Sequence, residues 1–221
     1  MTARAGFQHE IAALNEELAT MGTMIEEAIE RCFQAMEQED KDGAQEIIRG
    51  DRRINDMEKA IEAHCLSLML KQQPVVAGDL RIVSTALKVV TDMERIGDHA
   101  ADIAELVLRM DSARIYEEIK AIPQMAEAAK NMVHDAVHAF INCDVEAAKQ
   151  NMKKDDVVDE LFNRVKEEIV KQLKSDTGHI DGCIDAIMVA KYLERIGDHA
   201  VNICEWTEFH ETGELNHIRL V

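Results

Sequence analysis

The chain has 221 residues, with 43 acids against 25 bases and a formal net charge of −18. Nucleic-acid affinity comes largely from neutralising phosphates, so this balance excludes DNA and RNA as natural partners, and the lack of a polybasic segment speaks against direct docking on an anionic leaflet. With 47% hydrophobic residues the chain can bury a core, while two prolines, ten glycines and 4% aromatics favour long helices over sheet.

In chain order, apolar residues at three- and four-residue steps (Ile11, Leu14, Leu18, Met21, Ile25, Ile29, Phe33, Met36) predict a first helix over 7–38. The polar stretch 39–43, EDKDG, predicts a turn. A second helix is expected over 44–71, with Ile47, Ile54, Met57, Ile61 and Leu68 on its apolar stripe. Pro74 and Gly78 mark a loop, and Asp79 is placed as the N-cap of a third helix ending near Met110. Asp111-Ser112 opens a linker, and Pro123 stands near the start of the next helix, where proline is tolerated.

The second half then replays the first. Residues 36–48, MEQEDKDGAQEII, align with 140–152, FINCDVEAAKQNM, at an offset of 104. The phrase ERIGDHA occurs twice, beginning at Glu94 and Glu194, at an offset of 100. The missing four residues fall in the second connection, at 174–181, and indels belong in surface loops. The predicted fold is all-α: two pseudo-symmetric antiparallel three-helix bundles, over 1–112 and 113–221.

On a helical wheel, Ile96, Gly97 and Ala100 face the bundle core, and Glu94, Asp98, Asp102 and Glu105 fall within about 80° of arc at its edge. The second copy repeats this with Glu194, Asp198, Asn202 and Glu205. The preceding helices add Asp51 and Asn55 in the first unit and Asp155 and Asp159 in the second. Clustered carboxylates without soft ligands suit hard or borderline cations. Pairing with Arg95 and Arg195 across helices, or a solvated polar face, would account for the same pattern. Gly97 and Gly197 are read as close-packing points, since a mid-helix glycine costs about 0.5–1 kcal/mol relative to alanine. His99 and His199 lie about 100° round the helix from Asp98 and Asp198 and are read as boundary or interface residues in preference to ligands.

Other motifs are weak. His134 and His138 form HxxxH but lack the Glu of HExxH, and a single ExxH at Glu214 and His217 lies in the tail. None of the five cysteines forms CxxC, which speaks against a disulfide framework or a thiolate zinc site and suits a reducing cytoplasm. The opening MTARAGFQHEIAALNEEL has no apolar core of a signal peptide, and no apolar run approaches a membrane span.

The stretch PVVAGDLRIVSTALKVVTDMERIGDHAADIAE over 74–105, with its partner KYLERIGDHAVNICEW over 191–206, resembles the PhoU family of bacterial phosphate-signalling regulators. The resemblance covers nearly the whole chain. It implies two three-helix bundles and paired E(D)xxxD motifs that in some members hold iron or zinc and in others no metal. Carried over, the motifs fall on Asp51, Asn55, Glu94 and Asp98, and on Asp155, Asp159, Glu194 and Asp198; Asp102 and Asn202 are additions from the wheel. Iron or zinc is expected ahead of manganese or magnesium. The resemblance further implies a cytoplasmic negative regulator of the phosphate-starvation response and of phosphate uptake, not an enzyme. It would link the ATPase of a phosphate ABC transporter to a membrane sensor histidine kinase, touch the membrane only through partners, and form a homodimer. A metal-dependent hydrolytic or redox enzyme is the alternative.

Overall fold

The structure is a computed structural model that describes residues 3–71, 77–109, 118–176, 178–215 and 218–219. Within these spans the chain forms α1 (Ala3–Gln38), α2 (Lys41–Lys71), α3 (Ala77–Arg109), α4 (Ala121–Ile141), α5 (Val145–Met152), α6 (Asp155–Ser175) and α7 (Ile180–Thr212). A two-residue antiparallel pair, β1 (Glu214–Leu215) with β2 (Ile218–Arg219), follows. The boundary expected at 112/113 lies outside the described residues.

The all-α repeat is as predicted. In the first unit α1, α2 and α3 pack on one another, and in the second α4, α6 and α7 do the same. The apolar stripes are buried throughout: Leu14, Met21, Ile25, Ile61, Met93 and Ile96 have no exposed surface, nor do Met132, Val165, Leu193 and Ile196.

Three local expectations are corrected. The predicted turn at 39–43 shrinks to Glu39 and Asp40, because the Asp40 carboxylate accepts from the Gly43 N–H at 2.9 Å and caps α2 early. Asp79 is not a cap: α3 is already running at Ala77, and Asp79 sits buried in its first turn. Finally, the second unit splits the counterpart of α2 into α5 and α6. The cause is Asn151, which stands where the first repeat has Ile47. A buried amide needs partners. Asn151 Nδ2 donates to the Met132 carbonyl at 2.8 Å, and the chain tightens after it, with the Lys154 N–H donating to Asn151 O at 2.9 Å.

The two units meet along α3 and α7, which run antiparallel. The His99 ring lies 5.6 Å from the rings of both Tyr192 and His199. His199 Nδ1 donates to Asp92 Oδ1 at 2.8 Å. Positions 92 and 192 are repeat equivalents, as are 99 and 199, so the contacts 99–192 and 199–92 are the same contact made twice about a pseudo-twofold axis. Asn202 joins this seam, donating to Asp92 Oδ1 at 3.0 Å. Its equivalent Asp102 accepts from His99 Nδ1 at 3.2 Å and acts electrostatically on Tyr192. Each side of the axis therefore holds one histidine and one aspartate: Asp92 opposite a neutral Asn202, and Asp102 opposite a neutral Tyr192.

This arrangement explains why the second copy carries Asn where the first carries Asp. Asn202→Asp would set a second carboxylate against Asp92, whose side chain is only 14% exposed. We expect it to lower the urea midpoint by an amount equivalent to about 1–2 kcal/mol, and Asp92→Asn in the same chain to restore most of the loss. An unchanged midpoint in the single variant would show that the seam does not discriminate charge.

Candidate metal centres

In each unit the third helix crosses its neighbour at the glycine of ERIGDHA. A Cβ added to Gly97 would lie 3.6 Å from Asp51 Oδ1, and one added to Gly197 would lie 3.5 Å from Asp155 Oδ1. The glycine therefore does more than let helices approach: it brings an aspartate of the neighbouring helix against the backbone one residue before Asp98 or Asp198.

The first centre is built on α2 and α3. Asp51 and Asn55, one turn apart on α2, are joined by Asn55 Nδ2 donating to Asp51 Oδ2 at 3.0 Å. Their other oxygens, Asp51 Oδ1 and Asn55 Oδ1, are buried and accept no hydrogen bond. Burial, and then the charge of Asp98, pushes the Asp51 carboxyl above its usual range. Burial and Asp98 likewise raise Glu94, with Arg95 opposing them. Arg95 Nη1 donates to Asp98 Oδ2 at 3.1 Å, and its Nε lies 3.5 Å from Glu94 Oε2. The arginine pairs along its own helix, not across helices. A recess of about 60 Å³ between α1, α2 and α3 reaches this centre at Asp51, Ile54 and Gly97.

The second centre lies on α6 and α7. Burial first, then the charges of Asp159, Asp198, Asp156 and Glu194, pushes Asp155 up to about 6. Burial and Glu194 raise Asp198, while Lys191 opposes them. Lys191 is also hydrogen-bonded to Glu194.

The structure sets Asp51, Glu94 and Asp98, with Asn55 bonded to Asp51, within electrostatic reach of one another, and likewise Asp155, Asp159, Glu194 and Asp198, but among the described residues no three of these carboxylates bring ligand atoms within 4.8 Å of one another. Asp102 remains within electrostatic reach of Asp51, but Asn202 faces the seam. One acid escaped the sequence reading. Glu58, two turns along α2 from Asp51, is raised by burial and by the charge of Glu94. The i, i+4, i+7 stripe of Asp51, Asn55 and Glu58 was the signal for it. His134 and His138 lie on an exposed edge, where the rings stack 6.4 Å apart and His134 contacts Glu26.

Orphaned buried oxygens beside mutually repelling carboxylates fit an oxygen-seeking cation. Without one, the same charges are offset by Arg95 and Lys191.

The PhoU domain matches this chain twice, at residues 18–107 and 122–207. The chain belongs to the PhoU family. It is 38% identical, over 94% of its length and 95% of the relative's, to the phosphate-specific transport system accessory protein PhoU homolog of Clostridium acetobutylicum. With the accessory protein PhoU of Escherichia coli it shares 30% identity over 94% of this chain and 86% of that one. Its structure is similar to the crystal structure of the phosphate transport system regulatory protein PhoU from Streptococcus pneumoniae, with a TM-score of 0.87, 31% identity, and coverage of 95% and 98% of the two chains. The family is one of regulatory accessory proteins, not enzymes.

Two predictions follow from the shared geometry of this family's repeat. At Gly97 an added Cβ would meet Ile54 Cδ1 and Cγ2 at 3.0 Å, whereas at Gly197 it would meet Val158 Cγ1 at 3.5 Å. Gly97→Ala is expected to destabilise by about 1 kcal/mol, overpacking outweighing helix propensity, and Gly197→Ala to stabilise by about 0.5–1 kcal/mol. Urea midpoints of the same sign would contradict this.

The second concerns pH. With its folded-state value raised to about 6 from 3.8, Asp155 holds a proton in the native state that the unfolded chain has already released. Its contribution to stability falls as pH rises through this window. In chelator, Asp155→Asn should match the parent near pH 4 and exceed it at pH 7–8 by on the order of 1 kcal/mol, after allowance for solvent screening.

Proposed function

We propose that this protein is a cytoplasmic adaptor that restrains phosphate uptake and the phosphate-starvation response while phosphate is plentiful. As a homodimer it joins the ATPase of a phosphate ABC transporter to a membrane sensor histidine kinase. The observation that carries this reading is the match of both repeats, over nearly the whole chain, to relatives named for the phosphate-specific transport system. No helix among the described residues is long and apolar enough to cross a membrane, so membrane contact goes through partners. The sequence offers no glycine-rich anion loop, and phosphate status is read by the partners.

In this reading each unit holds a transition-metal ion, iron or zinc ahead of manganese or magnesium. Asp51, Asn55, Glu58, Glu94 and Asp98 would hold it in the first unit, with Asp102 at the edge, and Asp155, Asp159, Glu194 and Asp198 in the second. A bound cation would cancel the carboxylate repulsion and tie α2 to α3 and α6 to α7. The orphaned oxygens of Asp51 and Asn55 favour this.

The test is deletion of the gene in its host, with a phosphate-starvation reporter such as secreted phosphatase followed in phosphate-rich medium. A reporter switched on supports the regulator, and a silent one overturns it. Metal content of the protein purified without chelator tests the centres separately. Less than about one-tenth of a metal per chain would remove them and leave the regulator standing.

A further inference from the structure

We propose that Cys143, His210 and Glu211 form a third cation site, chemically distinct from the acidic centres, which takes a thiophilic divalent ion of the zinc class. Ligand atoms of these three side chains lie within 4.8 Å of one another, and they are the one such trio of His, Cys and carboxylate groups among the described residues. A thiolate, an imidazole and a carboxylate are the ligand types of zinc sites, and three protein ligands leave the fourth position open. The thiolate discriminates against magnesium, calcium and manganese.

A second observation is independent of that proximity. The His210 side chain is 11% exposed, and its Nδ1 is buried without a hydrogen bond; Glu211 Oε1 stands 3.3 Å away, an ion pair only for a protonated imidazole. A buried imidazole nitrogen without a hydrogen bond is unfavourable, and a ligand that uses the imidazole relieves it. A mostly apolar cavity of about 100 Å³, walled by Ile82, Ala86 and Phe140, opens onto Cys143 and His210.

The ligands are held by fixed backbone. Cys143 sits at the corner between α4 and α5 with φ 54°, its N–H donating to Phe140 O at 3.1 Å. The next residue, Asp144, caps α5 by accepting from the Ala147 N–H at 2.9 Å. At the other end, Gly213 closes α7 in the left-handed region at φ 74°, donating to Phe209 O at 2.8 Å. The corner conformation itself belongs to the fold, since Glu39, the repeat equivalent of Cys143, has φ 53°. What is particular to the second unit is the chemistry placed there. The first unit has Glu39, Met110 and Asp111 at these positions, with neither thiol nor imidazole. The absence of CxxC hid the site from sequence, because its ligands come from two helix ends 67 residues apart.

Binding exchanges the Cys143 thiol proton for the metal, and that proton leaves to solvent. The other four cysteines, Cys32, Cys65, Cys183 and Cys204, are buried. Cys143 is therefore the accessible thiol, and a thiolate-specific signal reports this site alone.

The experiment is a Co²⁺ titration of the full chain after chelator treatment. The expected result is a near-ultraviolet thiolate-to-cobalt charge-transfer band that saturates at an amplitude of one thiolate-bound Co²⁺ per chain, whatever further Co²⁺ the acidic centres take up, and is displaced by Zn²⁺. It should vanish in Cys143→Ser and persist in Asp98→Asn and Asp198→Asn. Absence of the band, or its survival in Cys143→Ser, overturns the proposal. Maleimide labelling of the unaltered protein keeps the test independent of how the variants fold. Zn²⁺ should slow Cys143 alkylation by about tenfold or more, because the free thiolate is the nucleophile, and an unchanged rate overturns the site.

Discussion

Every other helix among the described residues packs against α3 or α7, and these two pack against each other, so the α3–α7 seam is the constraint on which the rest depends. It fixes what each letter of ERIGDHA must do. On a helix of about 3.6 residues per turn, seven consecutive residues point in every direction. Ile96, Gly97 and Ala100 are buried in the first unit's core, and Ile196, Gly197 and Ala200 in the second. Glu94 and Asp98, one turn apart, point toward α2. His99, a further 100° round, meets α7. The arginine is left at the solvent edge, where Arg95 is 55% exposed. The phrase recurs because one helix in each unit must serve a core, a seam and a charged face within two turns.

Those charged faces are costly. Burial first, and the neighbouring carboxylates after it, push Asp51, Glu94, Asp155 and Asp198 above the usual carboxylate range. The scaffold tolerates this because the acids stand on long helices, Asp51 and Glu94 on α2 and α3, Asp155 and Asp198 on α6 and α7, anchored by cores that do not depend on them. The repulsion is then a local strain that a cation or a basic partner can relieve. Arg95 and Lys191 already relieve part of it, and both reach in from partly exposed positions where they can be displaced.

The fold was largely legible because periodicity and the repeated phrase are local signals. The α5–α6 break was not. It hangs on Asn151 finding a carbonyl on another helix, and an isolated sequence shows the amide but not its partner. The acidic centres were legible as stripes, yet the wheel could not separate a residue facing α2 from one facing α7. That is why Asn202 was grouped with Asp198 although its amide serves Asp92 across the seam. Glu58 was hidden for the opposite reason: its partner Glu94 lies on the neighbouring helix, and only the antiparallel register brings the two together.

That register also resolves the one departure from the acidic pattern. Asn55 stands where the second unit has Asp159, which looks like a missing charge in the first centre. But Glu58 stands where the second unit has Phe162, whose ring instead lies under the ammonium groups of Lys166 and Lys191, 4.7 and 5.7 Å from its centroid. The first unit thus presents Asp51, Glu58, Glu94 and Asp98, with Asp102 acting on Asp51, and the second Asp155, Asp159, Glu194 and Asp198, with Asp156 acting on Asp155. The charge has moved one turn along the second helix, toward the Glu94 end. The two centres are matched in charge but not in shape, and Asn55 supplies the first with a neutral oxygen that the second lacks. Differing ligand geometry would let the two sites differ in affinity or metal preference.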